Sequence, residues 1–185
     1  MKPAAILLHG PTSAGKSSLA QALQYCASVP AFHVSLDAFV TMSRRRDMRS
    51  AEEVAQVHHL HCENLRSTLK RLAETQFDII FDTVLRNEEE LDACLRVLAS
   101  RPLYQIHVWA PIEVLEQRER LRGDRADGMA REQASHSIFC RAYDLSIDTS
   151  ISTPRQSAGT IRKLMLVPPK STISLQRTAL PPGEL

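Results

Sequence analysis

The chain has 185 residues, which is enough for one domain with a sizeable core and short for two. Its hydrophobic content of 43%, charged content of 24% and formal net charge of +2 are ordinary for a soluble globular protein, and they do not favour nucleic acid as a partner. No apolar run approaches the roughly 18 residues that cross a membrane, and the apolar stretch behind Lys2 is too short for a signal peptide. We therefore expect a cytoplasmic protein with no membrane partner.

The first element is an apolar strand at 4–8, and it is followed by the stretch GPTSAGKS at 10–17, which fits the phosphate-binding pattern G-x-x-x-x-G-K-[ST]. The backbone N–H groups of such a loop bind phosphate at the positive end of the following helix. The residues predicted to hold the phosphates of a nucleotide are Gly10, Pro11, Thr12, Ser13, Ala14, Gly15, Lys16, Ser17 and Ser18.

Particular roles follow from the chemistry of this loop. Gly10 and Gly15 permit a close approach that a Cβ would obstruct. Lys16 is expected to reach the β- and γ-phosphates of ATP, and the Ser17 hydroxyl is expected to ligate Mg²⁺.

Strands and helices alternate along the rest of the chain. Strands are predicted at 31–36, 77–82, 103–109 and 143–148, and helices at 19–26, 51–74, 88–99, 111–121, 130–140 and 153–165. This alternation predicts an α/β fold with a mostly parallel sheet and helices on both faces. The last residues, 167–185, are rich in proline, lack periodicity and are expected to be irregular or disordered.

Two carboxylates follow predicted strands. Asp37 comes directly after the second strand, and Asp82 ends the third. Because the carboxyl ends of parallel strands share one edge of the sheet, both are expected to lie beside the phosphate loop. Asp82 is a candidate for contact with Mg²⁺, and a helix-capping role remains open for each of them.

The stretch HHLHC at 58–62 raises the question of a metal site. On a helix His58 and Cys62 share a face, as do His58 and His61. Since no second group of ligands completes a tetrahedral site, we interpret the stretch as a polar helix face, and the four separated cysteines as free thiols.

The segment EQRERLRGDRADGMA at 116–130 is rich in arginine. Small kinases close a basic lid over the transferred phosphoryl group, which excludes water and spreads positive charge onto its oxygens. Arg118, Arg122 and Arg125 are placed for such a lid, which we expect over about 118–131. The chain has no N-K-x-D element, so the sequence does not indicate a GTPase.

This segment, together with SAGKS at 13–17, Leu36-Asp37 and IIFD at 79–82, resembles the chloramphenicol phosphotransferase family. The resemblance covers about residues 6–165 in the family's order. It implies a P-loop nucleotide-kinase-like fold of three layers with five strands, and a phosphotransferase domain over 1–166. It also implies transfer of the γ-phosphoryl group of ATP to a hydroxyl of a small molecule, with Asp37 orienting or deprotonating that hydroxyl.

The segment between Asp37 and Phe77 departs from the family and carries Arg44, Arg45, Arg46 and Arg49. These arginines either bind an acceptor that bears a carboxylate or phosphate, or form a solvated basic loop. Two other functions remain open, a kinase of a nucleotide, nucleoside or nucleotide-sugar, and an ATP-binding regulatory protein with slow hydrolysis.

Overall fold

The computed structural model describes residues 3–122 and 128–170. Within these residues five parallel strands form one sheet in the order β2-β3-β1-β4-β5. The strands are β1 (Ala5–His9), β2 (Ala31–Ser35), β3 (Asp78–Thr83), β4 (Leu103–Trp109) and β5 (Leu145–Asp148). The α-helices are α1 (Lys16–Cys26), α2 (Leu36–Val40), α3 (Ala51–Ala73), α4 (Glu88–Leu98), α5 (Ile112–Arg122), α6 (Met129–Ala134) and α7 (Pro154–Leu164). Short 3-10 helices occupy Arg45–Asp47 and Ser137–Cys140.

Strand β1 is the centre of the sheet, with β3 on one side and β4 on the other. Its Leu7 is paired with Phe81 of β3 and Gln105 of β4. The chain passes to one side of β1 for β2 and β3 and then crosses to the other side for β4 and β5. Ligands of such sheets bind where the strand order reverses, beyond the carboxyl ends of the strands. The loop that follows β1 lies at that point.

Both faces of the sheet are covered, as the apolar run of the third predicted strand indicates. Successive side chains of a strand point to opposite faces. Ile79 and Phe81 therefore join the core under α3 and α4, while Ile80 joins the core under α1 and α7. The three-layer α/β fold predicted from the sequence is the one observed, and the described sheet is entirely parallel.

Most elements lie within one to three residues of their predicted bounds, and two differences bear on the site. The second strand ends at Ser35, whose hydroxyl accepts a hydrogen bond from Ala38 N and begins α2, so Asp37 lies in the first turn of a short helix rather than at a strand end. The helix predicted over 130–140 stops at Ala134, and His136 then begins the 3-10 helix Ser137–Cys140. At both points a side chain, Ser35 or His136, accepts a backbone N–H hydrogen bond and begins a new helical segment.

The described chain continues to contact the sheet beyond residue 166. The Tyr104 hydroxyl donates to the carbonyl of Val167, and the backbone N–H of Lys170 donates to Asp144. The expected irregular tail otherwise falls on residues 171–185, which lie outside the described part. Among the described residues, no helix is both long and apolar enough to cross a membrane.

Candidate active site

The phosphate loop joins β1 to α1 through backbone conformations that suit its sequence. Gly15 precedes α1 with φ 88°, in the left-handed region, and Ser13 adopts φ 62°. A Cβ on Gly10 would lie 1.9 Å from the carbonyl oxygen of Val108, so the start of the loop passes directly against β4. The loop is therefore held between the first helix and the sheet.

Lys16 is buried at the first position of α1, with 7% of its surface exposed. Its Nζ donates to the carbonyl of Pro11 at 2.8 Å, which holds the ammonium group against the loop. The hydroxyl of Ser13 is buried and has no hydrogen-bond partner among the described residues. An orphaned hydroxyl beside a buried cation fits the oxygens of a phosphate group.

Ser17 and Asp82, the two predicted magnesium ligands, are brought together at the carboxyl end of β3. The Ser17 hydroxyl donates to Asp82 Oδ2 at 2.8 Å, and Nε2 of His33 lies 3.2 Å from the same oxygen. Although burial opposes ionisation, the bond from His33, the charge of Lys16 and the bond from Ser17 hold the pKa of Asp82 below its ordinary value. A hydroxyl beside an ionised carboxylate is a donor set that suits Mg²⁺.

Gln133 ties α6 to the loop. Its Oε1 accepts from the backbone N–H of Thr12 at 2.8 Å, and the residue is buried. Together with Lys16, Asp82 and Arg122 it lines a cavity above the loop. We name this the loop cavity, and it is lined by Thr12, Ser13, Gly15, Lys16, Ser17, Ser18, Ser35, Leu36, Asp37, Asp82, Thr83, Val84, Arg122 and Gln133.

Arg118 lies on the other side of the loop, on α5. Its guanidinium group donates to the hydroxyl and carbonyl of Thr149 at 2.8 and 2.9 Å and to the carbonyl of Ser13 at 3.3 Å. These contacts connect α5, the segment after β5 and the phosphate loop. They border a second cavity, the Arg118 cavity, lined by Ser13, Gly15, Ser18, Leu19, Arg118, Leu121, Arg122, Thr149, Ser152, Pro154 and Ser157.

The predicted lid is described only at its two ends. Arg122 lines both the loop cavity and the Arg118 cavity. Arg125 lies outside the described residues, so its predicted role stays a prediction. The buried carboxylate of Glu119 accepts from the backbone N–H groups of Gly128 and Ala130 at 3.0 and 2.7 Å, which ties the start of the segment to its end.

Asp37 lies on a wall that two cavities share. It lines the loop cavity and also a third cavity on the α3 and α4 side. We name this third space the His58 cavity, and it is lined by Leu36, Asp37, Val40, His58, Val84, Leu85, Arg86, Asn87, Glu90, Gln133 and His136.

The arginines at 44–49 do not line any of these cavities. Arg44 pairs with Asp47 at 2.7 Å, and Arg46 approaches the same carboxylate at 3.8 Å, with exposed side chains. The structure therefore gives no support to an anion-binding role and agrees with the solvated basic loop.

His9 holds Leu85, which lines the His58 cavity, through a hydrogen bond to its carbonyl. It is fully buried at the end of β1, where its Nε2 bonds to the carbonyl of Leu85 and its Nδ1 to the hydroxyl of Tyr143, both at 2.8 Å. Because burial lowers the pKa of His9 to about 3, the ring is neutral at neutral pH. Nε2 then donates to Leu85, and Nδ1 accepts from Tyr143.

Four site residues were missed by reasoning from the sequence: His9, His33, Glu119 and Gln133. His9 and His33 lie on β1 and β2, the strands that precede the predicted site residues Gly10 and Asp37. The signal available for both was a polar residue between apolar residues of a strand. Glu119 and Gln133 carried no local signal. Gln133 bonds to Thr12, which is distant in the sequence, and Glu119 bonds to Gly128, on the other side of the segment 123–127.

Comparison with known proteins identifies the family of the chain. A family model described as chloramphenicol phosphotransferase-like protein matches residues 4–166. A Mycobacterium tuberculosis (strain H37Rv) protein, Rv2636, whose name proposes an O-phosphotransferase activity, is 28% identical over 171 residues, covering 80% of this chain and 76% of its own.

Solved structures share the fold. The M. tuberculosis APS kinase CysC, in complex with AMPPNP and APS, superposes with a TM-score of 0.67 at 15% identity, over 90% of this chain and 99% of its own. Shikimate kinase from Acinetobacter baumannii, in complex with shikimate, does so with a TM-score of 0.61 at 16% identity, over 88% and 92%. At these identities the likeness shows the fold alone. From the matched residues 4–166 and the loop, strand order and helices described above, the chain belongs to the chloramphenicol phosphotransferase-like family of P-loop phosphotransferases.

Proposed function

We propose that this protein transfers the γ-phosphoryl group of ATP to a hydroxyl group of a small molecule. The observation that carries the proposal is the position of Asp37 on the wall between the loop cavity and the His58 cavity. A phosphate group held by the loop and a hydroxyl held in the His58 cavity would meet at this carboxylate.

The loop cavity would hold the triphosphate. Backbone N–H groups of the loop, the Lys16 ammonium group and the Ser13 hydroxyl supply the donors. Ser17 and Asp82 would hold Mg²⁺, which neutralises charge on the β- and γ-phosphates when it is bound. His33 keeps Asp82 oriented and ionised for that role.

The Arg118 cavity would hold the nucleoside. It opens beside the same loop, and it is bordered by Thr149, Ser152 and Pro154, in the segment between β5 and α7. Arg122 lines both this cavity and the loop cavity, so its charge lies where the phosphate chain would pass.

The chemical step would take place at Asp37. The acceptor oxygen forms a bond to the γ-phosphorus, the bond from that phosphorus to the bridging oxygen breaks, and ADP leaves. The acceptor hydroxyl gives its proton to the Asp37 carboxylate. Because the transition state of phosphoryl transfer is loose, Asp37 acts mainly by positioning the hydroxyl.

The lining of the His58 cavity favours an acceptor without net negative charge. Among the described lining residues, the carboxylates Asp37 and Glu90 outnumber the one guanidinium group, and that group, on Arg86, is paired with Glu132. Leu36, Val40, Val84 and Leu85 add an apolar surface. A neutral hydroxylated molecule of mixed polarity, of which chloramphenicol is one example, suits these walls better than a nucleotide does.

The proposal is tested by comparing the native protein with Asp37→Asn. Both proteins are assayed with a panel of neutral and anionic alcohols, and the native protein is expected to release ADP in response to a neutral alcohol. This acceptor-dependent rate should fall at least about 100-fold in the variant, since positioned proton acceptors contribute on that scale. Binding of a non-hydrolysable ATP analogue, measured by calorimetry, should stay within about twofold. Asp47→Asn, which changes an exposed carboxylate, is the matched control.

Two results would contradict the proposal. If ADP release does not depend on any acceptor, the protein is an ATP-binding regulator with slow hydrolysis. If Asp37→Asn transfers phosphate as fast as the native protein, Asp37 does not act on the acceptor.

A further inference from the structure

Three side chains with metal-binding atoms converge on the wall of the His58 cavity. His58 and Cys62 lie one turn apart on α3, and Glu90 lies in the first turn of α4, which packs against α3. One ligand atom from each, an imidazole nitrogen, the thiol sulfur and a carboxylate oxygen, all lie within 4.8 Å of one another. Cys62 Sγ and His58 Nδ1 lie 3.8 Å apart.

The sequence provides two of these ligands on one helix face, and the fold supplies the third. In the sequence the stretch at 58–62 lacks a second group of ligands, because Glu90 is separated from Cys62 by 27 intervening positions and all of β3. Packing of α4 on α3 places its carboxylate beside the pair. The folded chain therefore places a third possible ligand beside the two that the sequence offers.

The spacing is close to that of a tetrahedral site. With metal–ligand bonds of about 2.0–2.3 Å, the ligand atoms of a tetrahedral zinc site lie roughly 3.3–3.8 Å apart. His58 is exposed and Glu90 is half-buried, so rotation of these two side chains can close the remaining distance while Cys62 stays fixed by burial.

We propose that His58, Cys62 and Glu90 bind a divalent cation of the zinc class, with a fourth coordination position open to the His58 cavity. Sulfur, nitrogen and carboxylate ligands together suit Zn²⁺ and Co²⁺, whereas Mg²⁺ prefers oxygen ligands alone. This separates the site chemically from the predicted magnesium site at Ser17 and Asp82.

The open coordination position allows the cation to bind the acceptor as well as the three protein ligands. This acceptor step is a second part of the proposal, and it rests on the proposed function. His58 and Glu90 line the cavity while Cys62 is buried behind them, so the uncovered side of a cation held by all three faces the cavity. A hydroxyl or carbonyl oxygen of the acceptor can take that position. The cation would anchor the acceptor at the end of the cavity away from the phosphate loop.

Cobalt absorption tests the binding step without nucleotide or acceptor. The full chain is treated with a chelator and titrated with Co²⁺. A thiolate-to-cobalt charge-transfer band together with the visible bands of tetrahedral cobalt is expected, and Zn²⁺ should abolish both. A cobalt ion at Ser17 and Asp82 would have oxygen ligands and no thiolate band.

Variants assign the ligands. Cys62→Ala should abolish the charge-transfer band, and His58→Gln and Glu90→Gln should each weaken Co²⁺ binding at least about 100-fold, the upper end of the loss seen when only an outer contact of a metal site is removed. His59→Gln on the same helix and Cys140→Ser, both exposed, are the matched controls and should bind as the native protein does. Circular dichroism of the metal-free variants checks that Cys62→Ala is folded.

The proposal is overturned if no thiolate band appears, or if the band persists unweakened in His58→Gln and Glu90→Gln. A band that follows Cys140 or His59 also contradicts it. The acceptor step has its own readout, in which removal of Zn²⁺ should raise the KM for the acceptor and leave ATP-analogue binding unchanged. If the cobalt spectrum is as expected and the KM does not move, the site binds metal but the acceptor step is wrong.

Discussion

Gly10 shows how a residue of the phosphate loop is constrained by the sheet. A Cβ at this position would lie 1.9 Å from the carbonyl oxygen of Val108, and that oxygen belongs to backbone that cannot rotate away. The glycine is required by packing of β1 against β4 in addition to any approach of phosphate.

We predict that Gly10→Ala lowers the free energy of unfolding by about 3 kcal/mol, since overpacking against a fixed neighbour has a cost of this order. Gly159→Ala is the matched control, because nothing lies within 4 Å of its added Cβ and it is in the interior of α7. That control should stabilise the protein by about 0.5–1 kcal/mol. Denaturant unfolding measures both changes, and equal effects of the two substitutions would refute the packing argument.

His9 predicts a pH dependence of stability. The unfolded chain binds a proton at this imidazole below about pH 6.5, whereas the folded chain keeps it neutral down to about pH 3. Because the unfolded state binds more protons in this window, the stability that His9 contributes is complete above pH 6.5 and is lost as the pH falls towards 3.

The contribution of His9 to the free energy of unfolding should fall by up to about 1.4 kcal/mol for each pH unit below pH 6.5. In His9→Gln the amide can still donate to the carbonyl of Leu85 but does not titrate, so this component of the slope should disappear. Urea unfolding at several pH values between 4 and 8 measures it. Parallel slopes for the two proteins would show that His9 is not the group responsible.

At the scale of the elements, the carboxyl end of α3 depends on one side chain from outside the helix. The guanidinium group of Arg101, which is buried, donates to the carbonyls of Leu72, Ala73, Thr75 and Phe77. The last carbonyls of a helix have no partner within it, and a cation there also complements the helix dipole. Arg101 therefore connects the end of α3 to the start of β3.

Arg101→Met should destabilise the protein by about 2–4 kcal/mol, because four partly buried carbonyls lose hydrogen bonds from a charged donor. Arg71→Met is the control, since its ion pair with Glu74 is exposed and such pairs contribute about 0.5 kcal/mol. Thermal unfolding compares the two variants with the native protein. A loss at Arg101 no larger than the loss at Arg71 would mean that water satisfies these carbonyls.

At the scale of the whole molecule, the hydrogen bonds of Val167 and Lys170 bear on the domain boundary, which the sequence placed at residue 166. A chain of residues 1–166 omits the bond of Val167 to Tyr104 and the bond of Lys170 to Asp144, whose carboxylate also accepts from Gln105. We propose that the domain extends through residue 170.

Removal of residues 171–185 should leave the unfolding midpoint unchanged. Removal of 167–185 should lower the free energy of unfolding by about 1–3 kcal/mol, because the Tyr104 hydroxyl and the Asp144 carboxylate each lose a partner. Denaturant unfolding of the two shortened chains and the full chain measures this difference. Equal stability of the two shortened chains would restore the boundary at 166.

Much of the fold was accessible from local patterns. Strand β4 begins and ends at the predicted residues 103 and 109, and the phosphate loop is contiguous, so its strand, turn and helix are visible together. Helix α2 was not predicted, and the helix predicted over 130–140 ends early, because Ser35 and His136 cap new helical segments. Capping depends on a few hydrogen bonds that periodicity does not reveal.

The sequence by itself determined the phosphate loop, the parallel α/β architecture and the family, because each is encoded by residues close together or by the alternation of strands with helices. Only the tertiary structure decided that His33 and Ser17 share Asp82, that Gln133 bonds to Thr12, and that Glu90 faces His58 and Cys62. These contacts join residues far apart in the chain, and their geometry exists only after the helices have packed on the sheet.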